Sequence, residues 1–124
     1  MDIKKFLQEF NEKIRYAERG DGYEIAFPFK FLNDSQISPL FISEDEAGLF
    51  TITDNGNTIN YLENFGVNPE DYADKIKSIC EAFDITYENG EFKGILGEYE
   101  TNQTFTMLSK FFMGISHIST VHRF

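Results

Sequence analysis

The spacing of hydrophobic positions along this chain changes at definite points, and each change marks an element. Ile3, Phe6, Leu7, Phe10, Ile14 and Ala17 recur at helical spacing, with Asp2 placed to cap the N-terminus. They predict a helix ended by Gly20-Asp21-Gly22. Tyr23, Ile25, Phe27 and Phe29 then alternate with Glu24, Ala26, Pro28 and Lys30, the period-two pattern of a half-buried strand. Pro28 cannot donate to a ladder, so it is expected at an edge or at the strand's end. A loop over Phe31–Ile37 leads to a strand at Leu40-Phe41-Ile42, a turn over Glu44-Asp45-Glu46-Ala47-Gly48, and a third strand over Leu49–Thr53.

Asp54-Asn55-Gly56 breaks that strand. Asn57 or Thr58 is then placed to cap a short helix through Phe65, closed by Gly66 in the left-handed conformation that glycine tolerates. Asn68-Pro69-Glu70-Asp71 starts the next helix with an Asn cap, a proline at the first position and acids facing the positive end of the dipole. Tyr72, Ile76, Ile79, Cys80 and Phe83 line one of its faces. Ile85–Glu88, Asn89-Gly90 and Glu91–Leu96 read as a hairpin, because Asn-Gly suits a tight type I′ turn. A last amphipathic helix from about Asn102 turns Phe105, Leu108, Phe111, Phe112, Ile115 and Ile118 inward. The order α-βββ-αα-ββ-α predicts one α+β domain over residues 1–124, an antiparallel sheet of about five strands covered by helices.

Charge adds a second layer to this picture. The chain of 124 residues carries a net charge of −10, and its first 30 residues balance six acids with six bases. Between Phe31 and Asp74 there are nine acids and no Lys or Arg, so the imbalance is localised. A localised field selects a partner by sign and steers its approach. The same charge argues against sequence-independent binding to DNA or RNA, which needs Lys and Arg on the phosphates. A single cysteine, Cys80, fits a reducing compartment. The N-terminus lacks the apolar core of a signal peptide, and no stretch reaches the roughly 18 apolar residues of a membrane span. A cytoplasmic protein without membrane contact is expected.

Three segments carry a family resemblance: Phe27-Pro28-Phe29, the strand-turn-helix from Thr51 to Leu62, and Ile79 to Tyr87 followed by Asn89-Gly90. Over residues 23 to 121 the chain resembles the domain-of-unknown-function family numbered 1828. In that family a strand ending in a Thr-Asp-x-Gly turn leads to a Thr-capped helix; here these are Thr53-Asp54-Asn55-Gly56 and Thr58. The resemblance implies this fold and an association with phages and other mobile elements, and it brings no reaction or catalytic residue. Where relatives often have Gly after the second helix, this chain has Phe83-Asp84, which alters the expected cap.

Each chemically suggestive residue has a structural reading beside a functional one. Asp54 is either a catalytic or metal-binding carboxylate at a strand's end or the acceptor of an Asx turn that fixes the helix entry. Its spacing before Thr58 favours the turn. Glu91-Phe92-Lys93 has the bare ending of a metal-dependent nuclease pattern. His117 and His122, five apart, fall about 140° apart on a helix and cannot share an ion from it. Cys80 lies on an apolar face and reads as core. Phe111, Phe112 and Ile115 belong to a broad apolar helix surface that fits either a doubly covered core helix or a dimer seam. No motif calls for a metal or another cofactor.

The reading these features support is a non-enzymatic acidic binding protein, encoded by a phage or mobile element. Its acidic face would inhibit or regulate a basic nucleic-acid-handling protein or nucleoprotein of the host's defences by charge mimicry. Asp34, Glu44, Asp45, Glu46 and Glu63 are the acids that local structure leaves unexplained, and they are the expected partner-binding set. A small metal-dependent nuclease using Asp54, Glu91 and Lys93, and an oligomeric module joined through residues 105–121, are the alternatives.

Overall fold

The computed structural model describes residues 2–27, 39–98 and 101–123, with the backbone alone at 101 and 102. Pro28 to Lys30, the Phe31–Ile37 loop and Asp34 lie outside them. The first helix, α1 (Ile3–Lys13), begins as the sequence predicts, with the Asp2 carboxylate accepting from the Lys5 N–H at 3.2 Å. It ends one turn earlier than expected. Ile14 is extended, and residues 15–19 form a strand, β1 (Arg15–Arg19), which pairs antiparallel with β2 (Gly22–Ala26). Gly20-Asp21 is thus the two-residue turn of a hairpin rather than a helix stop, and Gly20 supplies a φ of 60°.

The chain continues through β3 (Leu40–Glu44), β4 (Leu49–Thr53), α2 (Asn57–Asn64), a 3₁₀ turn (Pro69–Tyr72), α3 (Ala73–Ala82), β5 (Ile85–Glu88), β6 (Glu91–Glu98) and α4 (Thr101–Ser119). The architecture is α+β as expected, with six antiparallel strands among the described residues instead of about five, in the order β1-β2-β3-β4-β6-β5. Local chemistry sets several corners as the sequence predicts. Asn68 accepts from the Glu70 N–H at 3.1 Å ahead of Pro69, Gly66 has a φ of 74°, and Asn89-Gly90 takes the paired positive φ of a type I′ turn. Asp84 adopts a φ of 56°, the backbone a glycine would take there, and its carboxylate holds Lys110 at 3.0 Å.

Strand register decides which residues meet the helices. Ile42 lies opposite Ile52, and Ile52, Phe92 and Leu96 face a layer built from α2, α3 and α4. Leu62, Ile76, Phe111, Ile115 and Ile118 belong to the same buried core. Gly94 lets α4 close on β6, because a Cβ there would lie 2.9 Å from the Phe111 ring and 3.2 Å from Ile52. Phe112 packs edge-on against Phe27 at 4.7 Å. Phe111 and Ile115 are only 1% and 2% exposed, so of the expected seam residues these two serve the protomer's own core, while Phe112 is half-buried. Phe105 departs from the expectation for α4, exposed where an inward position was expected.

Gly94→Ala inserts a methyl group between two side chains that have no room to retreat. It is expected to destabilise by about 1–3 kcal/mol. In a denaturant titration this is a lower midpoint with an unchanged slope; a loss within a few tenths of a kcal/mol would contradict the close approach of α4 to β6.

Candidate functional site

The Thr53-Asp54-Asn55-Gly56 turn is densely hydrogen-bonded. Thr53 ends β4 on the open face of the sheet, so Asp54 points to the other side and is 1% exposed. Its Oδ1 accepts from the Gly56 N–H at 3.0 Å and the Phe92 N–H at 2.9 Å, and its Oδ2 accepts from the Thr58 N–H at 3.0 Å. The Asp54 N–H in turn donates to the Phe92 carbonyl at 3.1 Å. One carboxylate thereby closes the turn, satisfies the start of α2 and bolts β4 to β6. The Thr53 hydroxyl donates to Glu91 Oε1 at 3.1 Å and accepts from the Asn55 N–H at 3.1 Å. Gly56, with a φ of 80°, passes close to the Gly90 carbonyl.

Two expectations change here. Thr58 is not the helix cap: it sits inside α2 and is buried, and Asp54 does the capping from four residues earlier. The nuclease-like set is not assembled either. Glu91 and Lys93 stand together on the open face at 3.8 Å, whereas the Asp54 carboxylate lies on the helix side with its oxygens taken by backbone donors. Among the described residues no group of His, Cys, Asp and Glu is arranged to hold a metal ion. His117 stacks on Phe83 at 5.3 Å, and His122 lies beyond the end of α4. Cys80 is buried as a free thiol, as expected.

The acids of the 31–74 segment do not form one surface. Glu44 ends β3 and Asp45 and Glu46 lie in the β3–β4 turn, at the opposite end of β4 from Asp54. Asp45 Oδ1 accepts from the Ala47 and Leu49 N–H groups, both at 2.9 Å, so its role is partly to shape the turn. Glu63 closes α2 and lines a cleft with Glu70 and Tyr87 on the β5 side of the molecule. Asp34 lies outside the described residues. The β1–β2 turn and the end of β6 bring two acids that contiguity in sequence could not reveal. Gly22 pairs with Ser43 and Leu49 with Glu98, which places Asp21 and Glu98 at the same sheet end as Glu44-Asp45-Glu46. All five are exposed, and Arg19, the base beside them, is bound to Glu24 at 3.4 Å. Reading Gly20-Asp21 as a hairpin turn would have added Asp21 to the set.

Residues 27–113, about seven-tenths of the chain, match the family model described as Domain of unknown function DUF1828. The match covers the sheet from β3 to β6 with its helices and leaves α1, β1 and β2 outside it. No curated protein and no solved structure matches the chain. No helix among the described residues is long and apolar enough to cross a membrane.

Removing the Asp54 carboxylate strands three backbone donors at once. Asp54→Ala is expected to cost roughly 3–5 kcal/mol, and Asp54→Asn somewhat less, because its amide nitrogen would face a donor. Chemical denaturation measures both; a loss below about 1 kcal/mol for the alanine variant would refute the scaffold role. Burial also raises the Cys80 thiol above its ordinary 9.0, with Glu81 adding to the shift. It raises the Tyr87 phenol above 10.0, helped by the negative charges of Asp54, Glu63 and Glu70. Both groups fold as the protonated form, so their contribution is complete below the ordinary values and is lost as pH rises through the raised ones. The thermal midpoint is expected to fall from pH 9 upward, and Tyr87→Phe should flatten part of that decline; an alkaline branch unchanged in the variant would contradict it.

Proposed function

The chain belongs to the family described as Domain of unknown function DUF1828, and we propose that it is a non-enzymatic binding protein whose anionic sheet end enters a basic groove. The reading rests on one observation. Register gathers Asp21, Glu44, Asp45, Glu46 and Glu98 at one end of the sheet, on turns and strand ends, with the neighbouring Arg19 engaged by Glu24. A row of carboxylates on a rigid sheet end offers spaced negative charge much as a phosphate backbone does, and a groove built for phosphates would accept it. The partner is therefore a nucleic-acid-handling protein, held by charge and displaced by the polymer it normally binds. We place the pair in the cytoplasm of a bacterial cell, with the gene on a phage or other mobile element and a host defence protein as the target. The conspicuous Asp54 has no part in recognition under this reading, since its oxygens are committed to the backbone.

The test is capture by the immobilised protein from a bacterial lysate. Bound partners are expected to elute as salt rises from about 0.1 M towards 1 M and to be displaced by duplex DNA. Glu44→Lys/Glu46→Lys leaves Asp45 to hold the turn and should abolish capture without changing the melting temperature. Retention that ignores both salt and the double reversal would defeat the reading.

A further inference from the structure

A second surface lies on the far edge of the sheet. β5 is a terminal strand, paired with β6 alone among the described residues. Its two-residue Asn89-Gly90 turn makes Glu88 and Glu91 the closing pair, so Glu88 and Thr86 direct their backbone groups to β6. Ile85 and Tyr87 must then direct theirs outward. The other side of the ladder agrees: Phe92, opposite Tyr87, spends both its N–H and its carbonyl on Asp54, away from β5. No backbone hydrogen bond to another described segment occupies the outward groups of Ile85 and Tyr87.

That edge is only four residues long, and its one charged side chain is Glu88. β5 has no proline, no bulge and no lysine. Instead α3 runs beside it and leaves a groove of about 440 Å³ whose apolar lining is Ile76, Cys80 and Ile85, exposed by 2%, 6% and 7%. An adjoining cleft of about 460 Å³ shares Pro69, Glu70 and Tyr87 with it, so the depression follows the strand. Its rim carries Glu63, Glu70 and Glu81 against Lys77.

We propose that the groove between α3 and β5 docks an extended, basic segment of a partner protein, which adds to β5 as a seventh strand. The free groups of Ile85 and Tyr87 supply main-chain hydrogen bonds. Alternate side chains of the incoming segment point into the groove, where an aliphatic residue packs against the exposed Ala73 and Tyr87 above the buried floor of Ile76, Cys80 and Ile85. Lysine or arginine at the flanking positions meets Glu70 and Glu81. This surface is distinct from the Asp21 and Glu44–Glu46 end, and either can fail without the other.

Titration of the isotope-labelled protein with the blocked peptide Lys-Val-Lys-Val-Lys tests it. The expected result is saturable movement of the Ile85, Tyr87 and Lys77 amide signals with a dissociation constant of ~1 mM or tighter, and slowed exchange of the Ile85 and Tyr87 amides. Glu-Val-Glu-Val-Glu should not bind. Methylating the two valine nitrogens of the basic peptide should weaken it about tenfold or more, and so should Glu81→Lys in the protein, an exposed change that leaves the melting temperature in place. Equal binding of the methylated peptide, shifts confined to the Glu44–Glu46 end, or no shift at millimolar peptide would overturn the proposal. So would mass measurements showing that β5 is already covered by a second copy of the chain.

Discussion

Everything around the centre of this fold depends on one buried carboxylate. Asp54 sits where β4 gives way to α2, and neither element satisfies its own terminal donors there: α2 has no side-chain cap of its own, since Gly56 precedes it. The carboxylate takes the Gly56, Thr58 and Phe92 N–H groups together. A buried N–H without an acceptor is costly, and a charged acceptor facing the start of a helix gains from the dipole as well. Because Phe92 belongs to β6, and α4 closes on β6 through Gly94, the same bonds set the platform on which the helical layer packs. The residue that looks most like an active-site acid is therefore the one least free to act as one.

Much of the fold is readable wherever a residue acts on its own neighbourhood. Asn89-Gly90 turns the last hairpin, Asn68 and Pro69 start the 3₁₀ turn that leads into α3, and Asp2 caps α1, all through contacts a few residues away. The failures are non-local. Residues 14–19 fit a helical period and a strand period equally well; what decides is the partner, since Tyr16 can pair with Ile25 only once β2 exists. Thr58 has the right chemistry for a cap, but the helix starts before it, and its N–H is one of the helix-start donors that Asp54 accepts. Phe105 keeps the period of α4 and still faces solvent, because it lies in the helix's first turns, before the span that sits on the core.

The acidic segment shows the same limit from the side of function. The described acids of the 31–74 segment become separate groups once β4 puts its two ends apart, and one of them, Asp54, leaves the surface altogether. The sheet then recruits Asp21 and Glu98 from outside the segment. Charge composition could say that a negative surface exists; only strand register could say which residues share it. The apolar stripe of α1 tells a related story. Ile3, Phe6 and Leu7 are half or more exposed, so its amphipathic pattern predicted a helix correctly although the apolar face meets no core among the described residues.

The central claim is that the Asp54 carboxylate is committed to the backbone rather than held ready for a substrate or metal. Residue-resolved native-state hydrogen exchange tests it most directly. If the carboxylate holds these donors, the Thr58 and Phe92 amides exchange only through global unfolding, as slowly as the core amides of Ile52 and Phe111. Exchange of Thr58 and Phe92 at the rate of exposed turn amides such as Asn55 would show that the carboxylate is free, and would contradict the account.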